Sequence, residues 1–362
     1  MPDPVPEDHL STLTYLWRQY EAQPRQLAFR AETLEQWRAW RDALRARLVE
    51  CLGGFPTDRC DLSVQVVEVV EEPDYRREKV YFNSEPGVVV PCYVLIPHSA
   101  SPPYRPVVAL HGHGSDGARL LLGLAQDDQE RAHVQDLNYD YARQLAQHGM
   151  LVFAPVLRDL GERIEARPAF RTGEGAWEKS CQMAALVGLL LGKSLAGLRV
   201  WDVMRTVDYI RSRPEPMIQD IGCLGLSGGG VVALYAAALD DRLSAVVIDG
   251  ALCTFRASIM AIEHCADNYV PGLARYAEAH DVAGLIAPRP LLIEHGIQDP
   301  IFPIEGVRQV YHHVARIYSL LNCAERLELD EFDGGHRFGG RRAFSWLDRW
   351  VNSTEGNHTH VR

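Results

Sequence analysis

The sequence predicts an α/β domain built on a mostly parallel central sheet with helices on both faces. Short apolar runs alternate with helix-patterned segments from residue 107 onward, and glycine-bearing turns separate them. An alternating β pattern at residues 62–96 precedes them and predicts antiparallel opening strands. Strands that alternate with helices favour parallel pairing, because each crossover helix returns the chain to the same end of the sheet.

Two helix-patterned segments, 8–23 and 33–52, precede the sheet. Thr33 followed by Gln36 matches a capping box at the start of the second helix. Gly53 then ends that helix, because glycine readily adopts the left-handed conformation of a helix C-terminus. We therefore expect an N-terminal helical extension ahead of the main domain.

The pattern divides the chain into an extension, a main domain and a tail. The extension covers residues 1–60, the main α/β domain covers 61–351, and residues 352–362 are expected to form a flexible tail. Two stretches of the main domain, near 115–137 and 157–195, are too long for simple connections. Within the main domain, the predicted strands are 106–110, 151–155, 221–226, 245–248, 290–295 and 326–329, and the predicted helices are 139–148, 198–211, 231–239 and 305–321.

A glycine-rich turn separates the predicted strand 221–226 from the helix-patterned run 231–239 and carries Ser227 at its apex. Gly225 and Gly229 stand two residues before and after this serine, which is the G-x-S-x-G pattern of a strained strand-to-helix turn. Bulky residues are excluded there because the strand and helix backbones approach closely. The turn holds the hydroxyl above the sheet edge, so Ser227 is the candidate nucleophile.

Two downstream residues complete a candidate triad with this serine. A serine needs a histidine to take its proton and a carboxylate to orient that histidine. Asp299 lies on the loop after the predicted strand 290–295, and His336 lies on a glycine-rich loop after the strand 326–329. The chain order Ser, Asp, His, with each residue after a strand, is that of the α/β-hydrolases.

The loop after the predicted strand 106–110 reads His-Gly-His-Gly and resembles the H-G-x-G oxyanion loop of the α/β-hydrolase superfamily. In that family the residue after the first glycine donates its backbone N–H to the oxyanion, and that residue is His113 here. The backbone N–H of Gly228, at the start of a helix, is expected to point to the same place. The resemblance assigns the His111 side chain to support of the loop.

Residues 76–351 resemble the dienelactone hydrolase and acetyl xylan esterase branch of this superfamily, with segments 201–209 and 264–272 adding to the triad motifs. The resemblance implies the α/β-hydrolase fold, hydrolysis of carboxylic esters with small acyl groups through an acyl-enzyme, and no cofactor. It also favours acetylated saccharides as substrates. Dienelactone hydrolases carry a cysteine nucleophile, whereas this chain carries Ser227, which favours ordinary esters. Lactones, amides and activated C–C bonds stay open as alternatives, because the same groups can cleave them.

Asp249 is a rival for the acidic member of the triad. It closes the apolar run 245–248, which is the predicted strand after the nucleophile helix, and some hydrolases carry their acid there. Asp299 is preferred because its loop resembles the G-x-x-D-x-x-x-P acid loop of the family, with Pro303 completing the pattern.

Two other classes of function are alternatives to a serine hydrolase. His111 and His113, with Asp116 and His133, faintly resemble the metal loop of binuclear metallohydrolases, since imidazoles two residues apart can chelate zinc. The spacing fails beyond the first two histidines, so we expect no metal. A catalytically inactive binding protein is disfavoured because every triad position is filled.

Composition limits the partners and the compartment. The 362 residues have a formal net charge of −11, which argues against nucleic acid and anionic membranes as partners, because both need a cationic face. The eight cysteines form no C-x-x-C pair and predict thiols in a reducing, cytoplasmic compartment. The N-terminus has no basic and apolar segments typical of a signal peptide. A small-molecule or saccharide ester is the expected partner, and a homo-oligomer stays open.

The second insertion supplies a candidate substrate contact. Trp177 lies among glycines in the stretch 157–195, at a strand end where the pockets of α/β domains open. A surface anchor for the loop is the alternative role for this side chain.

Overall fold

A single mixed sheet forms the centre of the molecule. The computed structural model describes residues 7–114, 116–165 and 176–351, without the side chains of residues 7–8 and 176–177. Within these ranges the strand order is β1-β2-β3-β5-β4-β6-β7-β8-β9. The strands are β1 (Gln65–Glu71), β2 (Tyr75–Glu85), β3 (Val88–Pro97), β4 (Pro106–Leu110), β5 (Leu151–Pro155), β6 (Ile221–Leu226), β7 (Leu243–Asp249), β8 (Leu291–Gly296) and β9 (Leu327–Phe332).

The pairing of these strands confirms the predicted fold class. Strands β1, β2, β3 and β5 pair antiparallel, as the alternating pattern at 62–96 predicts. All pairs from β5 through β4 to β9 are parallel. The inner strands β4 to β8 are buried along their whole length or nearly so, since helices cover both faces of the parallel part.

The helices follow the strands in the order that the sequence predicts, with four additions that it does not. The α-helices are α1 (Glu7–Leu10), α2 (Thr12–Ala22), α3 (Leu34–Leu52), α4 (Asp128–Leu137), α5 (Tyr141–Gln147), α6 (Ala176–Leu190), α7 (Leu195–Ser212), α8 (Gly228–Leu239), α9 (Ala279–Gly284), α10 (Ile304–Leu320) and α11 (Ala343–Trp350). Helices α4, α6, α9 and α11 are the additions.

Helix α3 shows how local signals set its ends. Thr33 accepts a hydrogen bond from the Gln36 N–H at 3.2 Å, and Gly53 ends the helix with a φ of 96°. The reciprocal bond differs from the predicted capping box, because the Gln36 side chain accepts from the N–H of Glu32, one residue before the cap. The cap therefore satisfies two backbone N–H groups, as a capping box does, but one of them belongs to the residue before the cap.

The N-terminal helices pack onto the main domain. Trp37, Trp40 and Leu44 on one face of α3 are buried in the same hydrophobic core as the sheet and helices α7 and α8. The indole N–H of Trp17 on α2 donates to the carbonyl oxygen of Met260 at 2.8 Å. Burial of one indole side chain stabilises a fold by roughly 2–3 kcal/mol, so α3 contributes directly to the stability of the main domain.

The two long stretches at strand ends contain helices of their own. The first holds α4 and a buried 3₁₀ turn, Leu120–Leu122. The second holds α6, whose outward side leaves Leu186, Val187 and Leu190 exposed. Among the described residues, no single helix is long and apolar enough to span a bilayer; Glu178–Leu190 and α7 meet that test only as a pair bent by 99°.

Candidate active site

Ser227 occupies a strained turn between β6 and α8. Its backbone has φ 54° and ψ −122°, a conformation that residues other than glycine rarely adopt. The flanking glycines are required by close backbone contacts. A Cβ on Gly225 would lie 2.3 Å from the carbonyl oxygen of Gly229, and one on Gly229 would lie 2.0 Å from that of Leu110. The strand-to-helix turn predicted from G-x-S-x-G is therefore present.

His336 and Asp299 form a hydrogen-bonded pair. The two atoms, His336 Nδ1 and Asp299 Oδ2, lie 2.7 Å apart. The other oxygen of Asp299 accepts from the N–H groups of Ile301 at 2.8 Å and Phe302 at 3.1 Å. Burial alone would raise the pKa of Asp299, but the bonds from His336 and these N–H groups outweigh it and lower the pKa. The carboxylate stays charged and fixes the orientation of the imidazole.

Asp249, the rival acid, bonds to the backbone of the His336 loop. It is fully buried, and its Oδ2 accepts from the Gly339 N–H at 2.7 Å, on the loop that carries His336. Burial and the nearby Glu294 carboxylate raise its pKa well above the ordinary value. The structure thus brings Asp299, the preferred acid, into contact with His336 and uses Asp249 to hold the backbone of the same loop.

Glu294 on β8 is a further support of the His336 loop that the sequence did not reveal. Its Oε1 accepts from the N–H groups of Arg342 at 2.7 Å and Ala343 at 3.1 Å, and its Oε2 accepts from Gly340 at 3.2 Å. The bonds from Arg342 and Ala343 satisfy N–H groups at the start of α11, which have no partner inside the helix. The loop carrying His336 is therefore anchored to the sheet by two buried acids.

The loop after β4 lies beside the serine, as the H-G-x-G resemblance implies. A Cβ on Gly112 would lie 3.3 Å from the Cβ of Ser227, and the Gly112 N–H donates to the Tyr139 hydroxyl at 2.8 Å. Gly228 is the first residue of α8, so its N–H has no acceptor within the helix. The loop and this helix terminus are in contact, since a Cβ on Gly228 would lie 2.6 Å from the His113 ring, and both line the cavity that Ser227 lines.

His111 supports this loop. Its Nε2 accepts from the Leu157 N–H at 3.0 Å, so its Nδ1 carries the proton and donates to the Gly112 carbonyl oxygen at 2.8 Å. Burial lowers the pKa of His111 to about 3, which keeps the ring neutral. Because backbone groups occupy both nitrogens, His111 has no lone pair left for a metal, and Asp116 pairs with Arg119 at 2.7 Å. The alternative metal loop is therefore not assembled.

The side chain of His113 has partners that sequence reasoning missed. His113 Nε2 lies 2.8 Å from Asp267 Oδ2, and the same oxygen pairs with the buried Arg199. Burial alone would lower the pKa of His113, but the charge of Asp267 and its hydrogen bond outweigh burial and raise the pKa to about 9. Asp267 belongs to the segment 264–272, which only the family resemblance singled out. His113 is thus a cation at neutral pH.

A cavity of about 700 Å³ opens over the serine. Ser227, His336, His113 and Gly228 all line it, so the predicted triad serine and histidine and both predicted oxyanion residues share one cavity. The Trp177 side chain lies outside the described residues. Other polar lining residues come from α4, the connection between α4 and α5, α6 and the segment after β7, and they are His133, Tyr139, Glu178, Lys179, Gln182, Glu263, His264 and Asn268.

The pair of His113 and Asp267 predicts a pH dependence of stability. A histidine whose pKa is raised in the fold stabilises it fully below the unfolded value, roughly 6.5, and this stabilisation is lost as the pH rises through the folded value. With a folded pKa of about 9, the loss falls between neutral pH and pH 9 to 10. We expect the melting temperature of His113→Gln to change less over this range than that of the wild type, as measured by calorimetry. Parallel curves for the two proteins would contradict the pairing.

The fold and the geometry around Ser227 define the α/β-hydrolase class. A sequence model of the Abhydrolase family matches residues 6–317, and the chain belongs to that family. It is therefore an α/β-hydrolase. YtaP of Bacillus subtilis (strain 168), which is named as a hydrolase, is 27% identical over 316 residues, covering 85% of this chain and 98% of YtaP.

Solved structures with the same fold include two proteins described as esterases. A Bacteroides fragilis NCTC 9343 protein described as an acetyl xylan esterase has a TM-score of 0.74 at 18% identity, covering 91% of this chain and 84% of its own. A glucuronoyl esterase from Solibacter usitatus has a TM-score of 0.67 at 14% identity, covering 90% and 97%. At these identities the likeness establishes the shared fold.

Proposed function

We propose that the protein is a serine esterase that cleaves carboxylic esters with Ser227, His336 and Asp299 as its triad. The observation that carries the proposal is the 2.7 Å bond between His336 and Asp299 beside the cavity that holds Ser227. The strained turn at Ser227 supports it, since such a turn exposes a nucleophile at the end of a buried strand.

The mechanism follows from these positions. His336 takes the proton of Ser227 as the hydroxyl oxygen attacks the ester carbonyl carbon. Asp299 keeps the imidazole oriented and stabilises its protonated form, while the N–H groups of His113 and Gly228 stabilise the oxyanion. The tetrahedral intermediate collapses, and His336 returns the proton to the leaving alcohol. Water then releases the acyl group from Ser227 by the same steps.

The cavity supports a saccharide ester as the substrate class. Side chains with hydrogen-bonding groups line it, among them Lys179, Gln182 and Asn268, and these suit a substrate rich in hydroxyl groups. The acetyl xylan and glucuronoyl esterases among the structural neighbours agree with an ester of a carbohydrate. We therefore propose small-acyl esters, with acetylated saccharides preferred. Lactones, amides and activated C–C bonds are the alternatives within the same mechanism.

Substrate profiling tests the proposal. The purified protein is assayed with p-nitrophenyl esters of increasing acyl length and then with acetylated saccharides. We expect the acetyl ester to have the highest kcat/KM in the first series and deacetylation in the second. Turnover of amides or lactones with no turnover of esters would select an alternative, and loss of turnover with a chelator but not with a serine-directed phosphonate would contradict the mechanism.

Gln182 on α6 should affect recognition of the alcohol part of the substrate. Its side chain lines the cavity. We therefore expect Gln182→Ala to raise KM for an acetylated saccharide several-fold, because one neutral hydrogen bond contributes about 1 kcal/mol. The KM for p-nitrophenyl acetate should stay almost unchanged. Met183→Ala is the matched control, since Met183 is the next residue of the same helix, is 42% exposed and does not line the cavity. Equal KM values for the two variants would remove Gln182 from the recognition site.

A further inference from the structure

Gly228 differs from the other glycines of the nucleophile turn in what its missing side chain makes room for. At Gly225 and Gly229 a Cβ would meet backbone, whereas at Gly228 it would meet the imidazole of His113, 2.6 Å from Cε1 and 2.7 Å from Nδ1. The ring of His113 therefore occupies the place of a side chain at position 228. That place adjoins the N–H expected to bind the oxyanion.

The charge of this ring is set by groups around it. Asp267, which is 3% exposed, bonds His113 at 2.8 Å and also pairs with Arg199. Arg199 is held in turn by the carbonyl oxygen of Arg158, which accepts from Arg199 Nη2 at 2.7 Å and from Nε at 3.0 Å. One carboxylate thus faces two cations, and this group of three residues has one positive charge in excess.

Cys265, His264 and His111 interact electrostatically with His113 and add no negative charge at neutral pH. The carboxyl groups of Glu178 and Glu263 line the same cavity as His113, and those of Asp116 and Glu130, which pair with Arg119, line a second cavity that His113 also lines. Contact with Cys181 and burial raise the pKa of the Cys265 thiol, so it stays protonated. Burial lowers the pKa values of His264 and His111, so both rings are neutral. These groups face His113 from the segment after β7 and from its own loop, and Arg199 faces it from α7.

We propose that the imidazolium side chain of His113 is a third oxyanion-stabilising group, in addition to the N–H groups of His113 and Gly228. This inference rests on the proposed ester hydrolysis. When Ser227 Oγ bonds to the carbonyl carbon, its proton passes to His336 and the π electron pair of the carbonyl moves onto oxygen. The cation of His113 lies beside that new charge and transfers no proton. When the intermediate collapses, the bond to the alcohol breaks and His336 supplies the alcohol with its proton.

A fixed cation is effective here because it is oriented before the reaction begins. Charges that are preorganised in a site sheltered from water stabilise a developing oxyanion without any cost of reorganisation. Removal of one oxyanion-hole donor in a serine hydrolase costs roughly 10²–10³ in kcat. We expect a loss of about 10- to 1,000-fold when the charge of His113 is removed.

The test compares His113→Gln with the wild type on p-nitrophenyl acetate across pH. Glutamine can still bond Asp267 and keeps the backbone N–H, so we expect kcat to fall about 10- to 1,000-fold with little change in KM. The wild-type kcat should also decline as the pH rises through about 9, where His113 loses its proton, and the variant should lack this decline. His312→Gln, an exposed histidine of α10, controls for the substitution itself.

Gly228→Ala is a second variant that keeps His113, Asp267 and the N–H of residue 228. Its Cβ would displace the ring, so kcat should fall here as well, and alanine suits the start of a helix. Wild-type kcat and an unchanged alkaline decline in both variants would overturn the inference. A pKa of His113 measured by NMR in the ordinary range of histidine would also overturn the inference, whether or not esters are cleaved. If the wild type cleaves no ester and no phosphonate labels Ser227, the proposed function itself is wrong.

Discussion

Ser227→Ala should lower ester turnover by a factor on the order of 10⁴ or more while the fold is retained. The hydroxyl oxygen is the atom that bonds to the acyl group in the acyl-enzyme. No other serine lies at the strand-to-helix turn between β6 and α8. Alanine can adopt the same backbone conformation, φ 54°, with a strain similar to that of serine. The N–H of residue 227 also keeps its bond to the Asp249 carbonyl oxygen at 3.0 Å.

The melting temperature of Ser227→Ala should therefore stay close to that of the wild type. Steady-state kinetics and thermal unfolding on the same preparation separate loss of chemistry from loss of fold. Ser319→Ala, an exposed serine of α10, is the matched control and should retain full activity. A variant at position 227 with near wild-type turnover would show that another group attacks the ester.

Asp299→Asn should lower kcat by about 10⁴, because an amide in place of the triad carboxylate favours the wrong tautomer of the histidine. Asp299 accepts from His336 with one oxygen and from two backbone N–H groups with the other. Asparagine keeps one acceptor, so its amide NH₂ faces His336 and forces Nδ1 to accept. The proton then sits on Nε2, which can no longer serve as the base.

Asp249→Asn is the matched control for the acid. Burial and Glu294 raise the pKa of Asp249 and so disfavour its charged form, and its bond to the Gly339 N–H can be kept by the asparagine oxygen. We expect nearly wild-type kcat with at most a small change in melting temperature. The opposite pattern, an active Asp299→Asn and an inactive Asp249→Asn, would reverse the assignment of the acid.

The sequence predicts the sheet and the turn at Ser227 because their signals are local. Strands β4 to β8 are short apolar runs bounded by turn residues, and each predicted boundary lies within about two residues of the observed one. The crowding at Gly225 and Gly229 is likewise a consequence of residues next to each other in the chain. The contact of His336 with Asp299 was predictable because both follow strands that lie side by side in a parallel sheet.

The remaining features depend on contacts between residues far apart in sequence. His113 and Asp267 are separated by 154 positions, and neither has a local pattern that indicates the pair. Glu294 reads as one of two adjacent polar residues near the end of a buried strand, and its partners lie on the loop after the next strand. Helix α6 was missed because its apolar residues lie on all sides, which gives no amphipathic period.

Labelling with a fluorophosphonate, followed by peptide mass spectrometry, tests the central claim most directly. The reagent bonds covalently to a serine only where a histidine removes its proton and an oxyanion site binds the phosphoryl oxygen. We expect one adduct, on Ser227, with parallel loss of esterase activity, and no adduct in Ser227→Ala. An adduct on a different residue, or full esterase activity in a protein whose Ser227 is completely modified, would contradict the assignment of Ser227 as the nucleophile.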